Sequence, residues 1–76
     1  MDDLKQKCED FLNSHLCYYL AIEDFFINYD KRIGIFYRPH SLGNISSIEK
    51  HRIVGYMRDR NLTHYTVEDN KIFIYW

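Results

Sequence analysis

Apolar residues return along this chain with two different periods, and the switches between them mark out its elements. From Asp2 to about Ser14, Leu4, Cys8, Phe11, Leu12 and then Leu16 recur at helical spacing, while Lys5, Gln6, Lys7, Glu9 and Asp10 fill the other positions. That pattern predicts an amphipathic helix. Asp2 and Asp3 stand in its first turn, where negative charge complements the helix dipole. Asn13-Ser14 is the expected end, although the periodicity can be stretched to Leu20.

From Cys17 to Arg38 the signal changes to β. Tyr18-Tyr19-Leu20-Ala21-Ile22 is a short apolar run rich in strand formers. Phe25, Ile27 and Tyr29 then alternate, and so do Ile33, Ile35 and Tyr37, with Asp30-Lys31-Arg32 between them as a hairpin loop. Gly34 inside the second strand predicts a bulge or a close backbone approach. Pro39 to Asn44 reads as a loop.

A second helix is predicted from about Ser47 to Arg60. Ser46 and Glu49 have capping-box spacing, and Ile45 is placed to act as a staple partner. Lys50, Ile53, Val54, Met57 and Asn61 share a face; Arg58 and Arg60 suit the last turn, and Asn61 is a left-handed terminator. The chain closes with a hairpin, Leu62–Val67 and Lys71–Trp76. A two-residue loop at Asp69-Asn70 sets Glu68 against Lys71 as a cross-strand ion pair. In that register Thr63, Tyr65, Val67, Ile72, Ile74 and Trp76 form the core face, and His64, Thr66, Phe73 and Tyr75 the other. The expected fold is a single α+β domain over residues 1–76, order α-β-β-α-β-β. Its two helices pack on one face of an antiparallel sheet of about four strands.

Composition narrows the function. A chain of 76 residues holds one domain and buries only about 60% of its unfolded surface. Its 46% hydrophobic content rules out intrinsic disorder, which needs low hydrophobicity and high net charge. A net charge of −1 lacks the basic excess of a dedicated nucleic-acid binder and the acidic excess of a DNA mimic, so only a local basic patch could hold nucleic acid. With two cysteines, no basic-then-apolar start and no run near the ~20 apolar residues of a membrane span, the expected location is the cytoplasm, with no membrane partner.

No arrangement of reactive residues stands out. His15 and Cys17 are one close pair where structural zinc wants two, and Cys8 falls on the apolar face of its helix as a buried thiol. Two Cys and four His come without a nucleophile elbow or a glycine-rich oxyanion loop. Glu23-Asp24 and Glu68-Asp69 sit at expected turns as solvated acids, and no phosphate-binding glycine pattern is present. The chain therefore reads as non-enzymatic, with no catalytic residue, metal ligand or cofactor to assign.

Two surfaces remain. On the second helix His51, Arg52, Gly55, Arg58 and Asp59 form one stripe at three- and four-residue spacing, either a solvated face or a contact surface with Gly55 letting another backbone approach. On the hairpin, Phe73 and Tyr75, with His64, are either covered by another element or exposed as a binding surface. The helix and hairpin of Ser47–Trp76 resemble the recognition helix and wing of winged helix-turn-helix DNA-binding domains over less than half the chain. The positioning helix of that family would lie over Ile33–Asn44, where Gly34, Pro39 and Gly43 give strand and loop, so the likeness is confined to a common supersecondary unit.

The expected function is that of a small regulatory protein that binds another protein through His51, Arg52, Gly55, Arg58, His64, Phe73 and Tyr75, a homodimer being one form of such binding. Richness in Tyr, Ile, Asn and Lys points toward a viral or phage accessory protein acting on a host factor. The alternative is nucleic-acid binding, with Lys31, Arg32, Arg38, Arg52, Arg58 and Arg60 as the electrostatic footprint.

Overall fold

A computed structural model of the chain describes residues 3–75. The places expected for Asp2 and Trp76 fall outside the described residues, and Asp3 and Leu4 are described by backbone alone. The element order is α1 (Asp3–Leu12), α2 (His15–Tyr19), β1 (Asp24–Asn28), β2 (Ile33–Tyr37), a 3-10 turn (His40–Leu42), α3 (Ser47–Asp59), β3 (Tyr65–Val67) and β4 (Lys71–Tyr75). The four strands form one antiparallel sheet in the order β1-β2-β4-β3. The α+β architecture expected from the hydrophobic pattern is the architecture observed.

All three helices lie on one face of that sheet. Phe11 of α1 meets Phe36 of β2 edge-on at 4.8 Å between ring centroids. Ile53 and Met57 of α3 and Cys17 of α2 join Ile72, Ile74 and Phe36 in the same buried cluster. The close approach predicted at Gly34 is real: a Cβ there would stand 2.8 Å from the Cys8 sulfur. Only a hydrogen at this strand position lets α1 sit this low on the sheet.

The run Tyr18–Ile22 is not a strand. The helical period continues past Ser14 into α2, and Ser14 supplies the break. Its Oγ donates back to the Phe11 carbonyl and accepts from the Cys17 amide (3.2 Å), ending one helix and capping the next. Leu20 and Cys17 are thereby buried three residues apart, and Ala21 leaves in the left-handed region at φ 56°. β propensity measures fit to a pleated surface, and here the core offers a helical site instead.

The β1–β2 loop has four residues, because Asn28 pairs with Ile33. Tyr29, expected in the strand, stands in this loop and is exposed. Asn28 Oδ1 accepts from the Lys31 amide at 2.9 Å, and Arg32 takes the positive φ that closes the turn. Beyond β2, Arg38 and Ile45 donate backbone N–H groups to Asn70 and Asp69, tying the following loop to the β3–β4 turn.

α3 has the capping box its sequence specifies: Ser46 Oγ accepts from the Glu49 amide, and Glu49 Oε1 accepts from the Ser46 amide. Arg38 donates to the same carboxylate at 2.9 Å, with both side chains 12% exposed. The backbone donor of Ser46, then Arg38, hold the Glu49 carboxyl below its usual range. The helix is turned slightly from expectation: Ile53 and Met57 are buried with Tyr56 packed beside them, whereas Val54 is exposed and Lys50 reaches Asp69 (3.8 Å). Asn61 adopts φ 58°, the expected left-handed exit.

The final hairpin turns at Asp69-Asn70, with Glu68 N–H bonded to the Lys71 carbonyl at 2.8 Å. The expected Glu68–Lys71 ion pair is not among the ion pairs of the described residues. Lys71 Nζ lies instead 5.9 Å from the centroid of the Tyr37 ring on the neighbouring strand.

Candidate interaction surface on the open sheet face

Because side chains alternate along a strand, the register of three ladders fixes what the second face of the sheet displays. Ile72, Ile74, Phe36 and Gly34 point to the helices, so Lys71, Phe73, Tyr75, Ile33, Ile35 and Tyr37 point away. β1 adds Asp24, Phe26 and Asn28; β3 adds Thr66, flanked by His64 and Glu68. The result is three rows across four strands: Asn28-Ile33-Tyr75-His64, Phe26-Ile35-Phe73-Thr66, and Asp24-Tyr37-Lys71-Glu68. Three aromatic side chains, Phe26, Tyr37 and Tyr75, and one isoleucine, Ile33, surround Ile35 and Phe73 at the centre.

No helix of the described residues covers this face. Phe26 is 53% exposed and Tyr75 38%, and Ile33, Ile35, Tyr37 and Phe73 are half-buried, shielded by one another. The Phe73 and Tyr75 rings stack at 6.3 Å with an interplanar angle of 16°, forming one flat apolar step on β4. His64 pairs with Tyr75 through the backbone, and its Nδ1 shares a hydrogen bond with Thr63 Oγ1 at 3.0 Å. The three residues singled out on the hairpin thus stand together on one surface.

The α3 stripe is a separate surface. His51, Arg52 and Arg58 are exposed on the side of α3 opposite Ile53. Arg52 lies over the Tyr19 ring at 5.1 Å, and Arg58 reaches the neighbouring Asp59 at 3.9 Å. A Cβ on Gly55 would find only the Arg58 guanidinium, at 4.0 Å, so nothing within the chain requires a glycine there. Since α3 lies on the core side of the sheet, the stripe and the aromatic face look in opposite directions. The seven sequence-predicted residues therefore divide into two sites that one compact partner cannot cover together.

The proposed basic footprint is also divided. Arg38 is half-buried against Glu49 and Arg60 lies over the Tyr56 ring at 4.4 Å, while Lys31 and Arg32 stand on the β1–β2 loop. Sequence reasoning missed Phe26, Ile33, Ile35 and Tyr37 as members of the aromatic face. The signal was Gly34: if a helix approaches that position, its parity partner Phe36 faces inward and Ile33, Ile35 and Tyr37 face out.

A cleft of about 510 Å³ opens beside the third row, lined by Glu23, Asp24, Tyr37, Arg38, Pro39, His40, Asn70 and Lys71. His40 Nε2 is held at 3.0 Å from Asn70 Nδ2, a contact that fastens the 3-10 turn to the hairpin. Both thiols are buried, and burial pushes Cys17 up to about 11. Among the described residues no group of three or more His, Cys, Asp or Glu is placed to hold a metal ion, and no helix is long and apolar enough to cross a membrane. Comparison of the chain with protein-family models, with curated proteins and with solved structures gave no match.

Proposed function

We propose that this chain is a small non-enzymatic interaction protein that captures a protein partner on its open sheet face. The observation that carries the reading is the uncovered apolar block of Phe26, Ile33, Ile35, Tyr37, Phe73 and Tyr75. Contiguous apolar area on a small chain marks an interaction site, and aromatic anchors near its centre supply most of the binding energy. The charges that rim it, Asp24 and Glu68 against Lys71, leave no positive excess to draw a phosphate backbone. That balance favours a polypeptide over a nucleic acid. In a viral or phage setting such a face would occupy a host factor in the cytoplasm, where Cys8 and Cys17 remain thiols.

The reading is tested by affinity capture from source-cell lysate with the tagged chain, with and without nuclease. Tyr75→Ala removes a ring from the face, and Arg52→Glu reverses a charge on the opposite side. The expected result is a nuclease-resistant protein partner lost with Tyr75→Ala and retained with Arg52→Glu. The reverse pattern would move the site to α3, and recovery of nucleic acid alone would replace the reading.

A further inference from the structure

We propose that the occupant of the open face is a second copy of this chain, bound face to face about a twofold axis that lies along the central row. The inference rests on the sheet-face reading above and adds the identity and orientation of the partner.

Charge decides the orientation. A twofold interface joins the same patch on both copies, so the face must complement itself. An axis along the row Phe26-Ile35-Phe73-Thr66 keeps each strand over its own copy and exchanges the two outer rows. Each central-row side chain then meets itself. Glu68 meets His64 of the second copy, Lys71 meets Tyr75, Tyr37 meets Ile33, and Asp24 meets Asn28. Every charged group faces a polar or aromatic side chain that can accept it. An axis parallel to the strands, between β2 and β4, instead sets Asp24 against Glu68 twice, and like charges placed directly opposite are destabilising. A net charge of −1 adds little long-range repulsion to either approach.

Area sets the strength. A face four strands wide and five residues long measures roughly 19 by 17 Å at ordinary strand spacing and rise. Two such faces with their side-chain relief bury on the order of 1,000 Å² in total, the lower end for specific association. The dimer is accordingly a weak one that forms with rising concentration. The two sheets pack as an aligned sandwich about 10 Å apart, with strand directions within about 30°.

Sedimentation velocity on the full chain, from low micromolar to millimolar concentration, reads this directly, with circular dichroism confirming that each variant is folded. The wild-type chain is expected to pass from monomer to dimer. Phe73→Glu puts two carboxylates face to face on the axis and raises Kd by at least about tenfold, the equivalent of about 1.4 kcal/mol; Phe73→Thr, a gentler change on a strand, weakens it in the same direction. Glu68→Lys weakens the dimer, and adding His64→Glu restores it. A chain that stays monomeric throughout, a dimer indifferent to Phe73, or a dimer tightened by Glu68→Lys overturns the proposal. If the chain is monomeric while Tyr75→Ala still loses its lysate partner, the second copy is refuted and the sheet-face reading stands.

Discussion

Gly34→Ala adds one methyl group at the point where α1 rests on the sheet, and its cost can be worked from the contact. The new Cβ would stand 2.8 Å from the Cys8 sulfur, where ordinary contacts begin near 3.4 Å. Cys8 is fully buried and Phe36 already lies 3.4 Å away on the same side, so the overlap is relieved only by lifting the helix. Overpacking of this kind costs about 1–3 kcal/mol. Replacing a strand glycine by alanine returns about 0.5–1 kcal/mol of backbone entropy. Taking the middle of each range, the net is a destabilisation of about 1 kcal/mol, which for a domain this size lowers Tm by roughly 4–8 °C. Urea denaturation should show a lower midpoint at unchanged m-value. Cys8→Ala removes the opposing sulfur, so the double variant should be more stable than the sum of the two single changes predicts, by about 1 kcal/mol or more. A Gly34→Ala chain as stable as wild type, or strict additivity with Cys8→Ala, would show that the added methyl does not press on the Cys8 sulfur.

Four other perturbations have defined outcomes. Gly55→Ala, at a helix position with open space, should raise stability by about 1 kcal/mol in the same urea assay, opposite in sign to Gly34. The Glu49 carboxyl is held below its unfolded value of 4.5, so its contribution is complete above that pH and is lost as pH falls through the lower, folded value; an acid titration of stability should fall less steeply below pH 4.5 in Glu49→Gln, and Arg38→Met should cost about 1.5–3 kcal/mol at neutral pH. Cys17, 2% exposed and pushed up to about 11, and Cys8, fully buried, should both resist a thiol-reactive disulfide dye at mildly alkaline pH until denaturant is added; rapid native labelling of either would contradict their burial.

The elements with local signals were legible in the sequence. Ser46 and Glu49 specify the start of α3 by side-chain chemistry three residues apart, and Asn61 specifies its end, with no help from the rest of the chain. Alternation placed Tyr65, Val67, Ile72 and Ile74 toward the core and His64, Phe73 and Tyr75 on the other surface, but Thr63, expected on the core face, is exposed, and the strand expected from Leu62 begins only at Tyr65. What escaped depends on partners distant in sequence. Tyr18–Ile22 has strand-forming residues in a helical site, because the core receives Cys17 and Leu20 from one helical turn capped by Ser14. Tyr29 left its strand because the Asn28–Ile33 pairing assigns it to the loop. The open face extended beyond the hairpin only when β2 paired with β4, a contact between residues about forty apart that no local pattern encodes. On α3, His51, Arg52, Arg58 and Asp59 are exposed and Gly55 is half-buried, and the helix's position behind the core separates them from the aromatic surface.

If the open sheet face is the working surface and a second copy fills it, the backbone amides of that face report the contact. The most direct measurement is a concentration series of two-dimensional amide NMR spectra of the full chain. Progressive shift changes are expected, confined to open-face residues of the sheet and strongest around Phe26, Ile35, Phe73 and Tyr75, with Arg52, Gly55 and Arg58 unchanged. Shifts centred on α3, or spectra that do not change up to millimolar concentration, would contradict it.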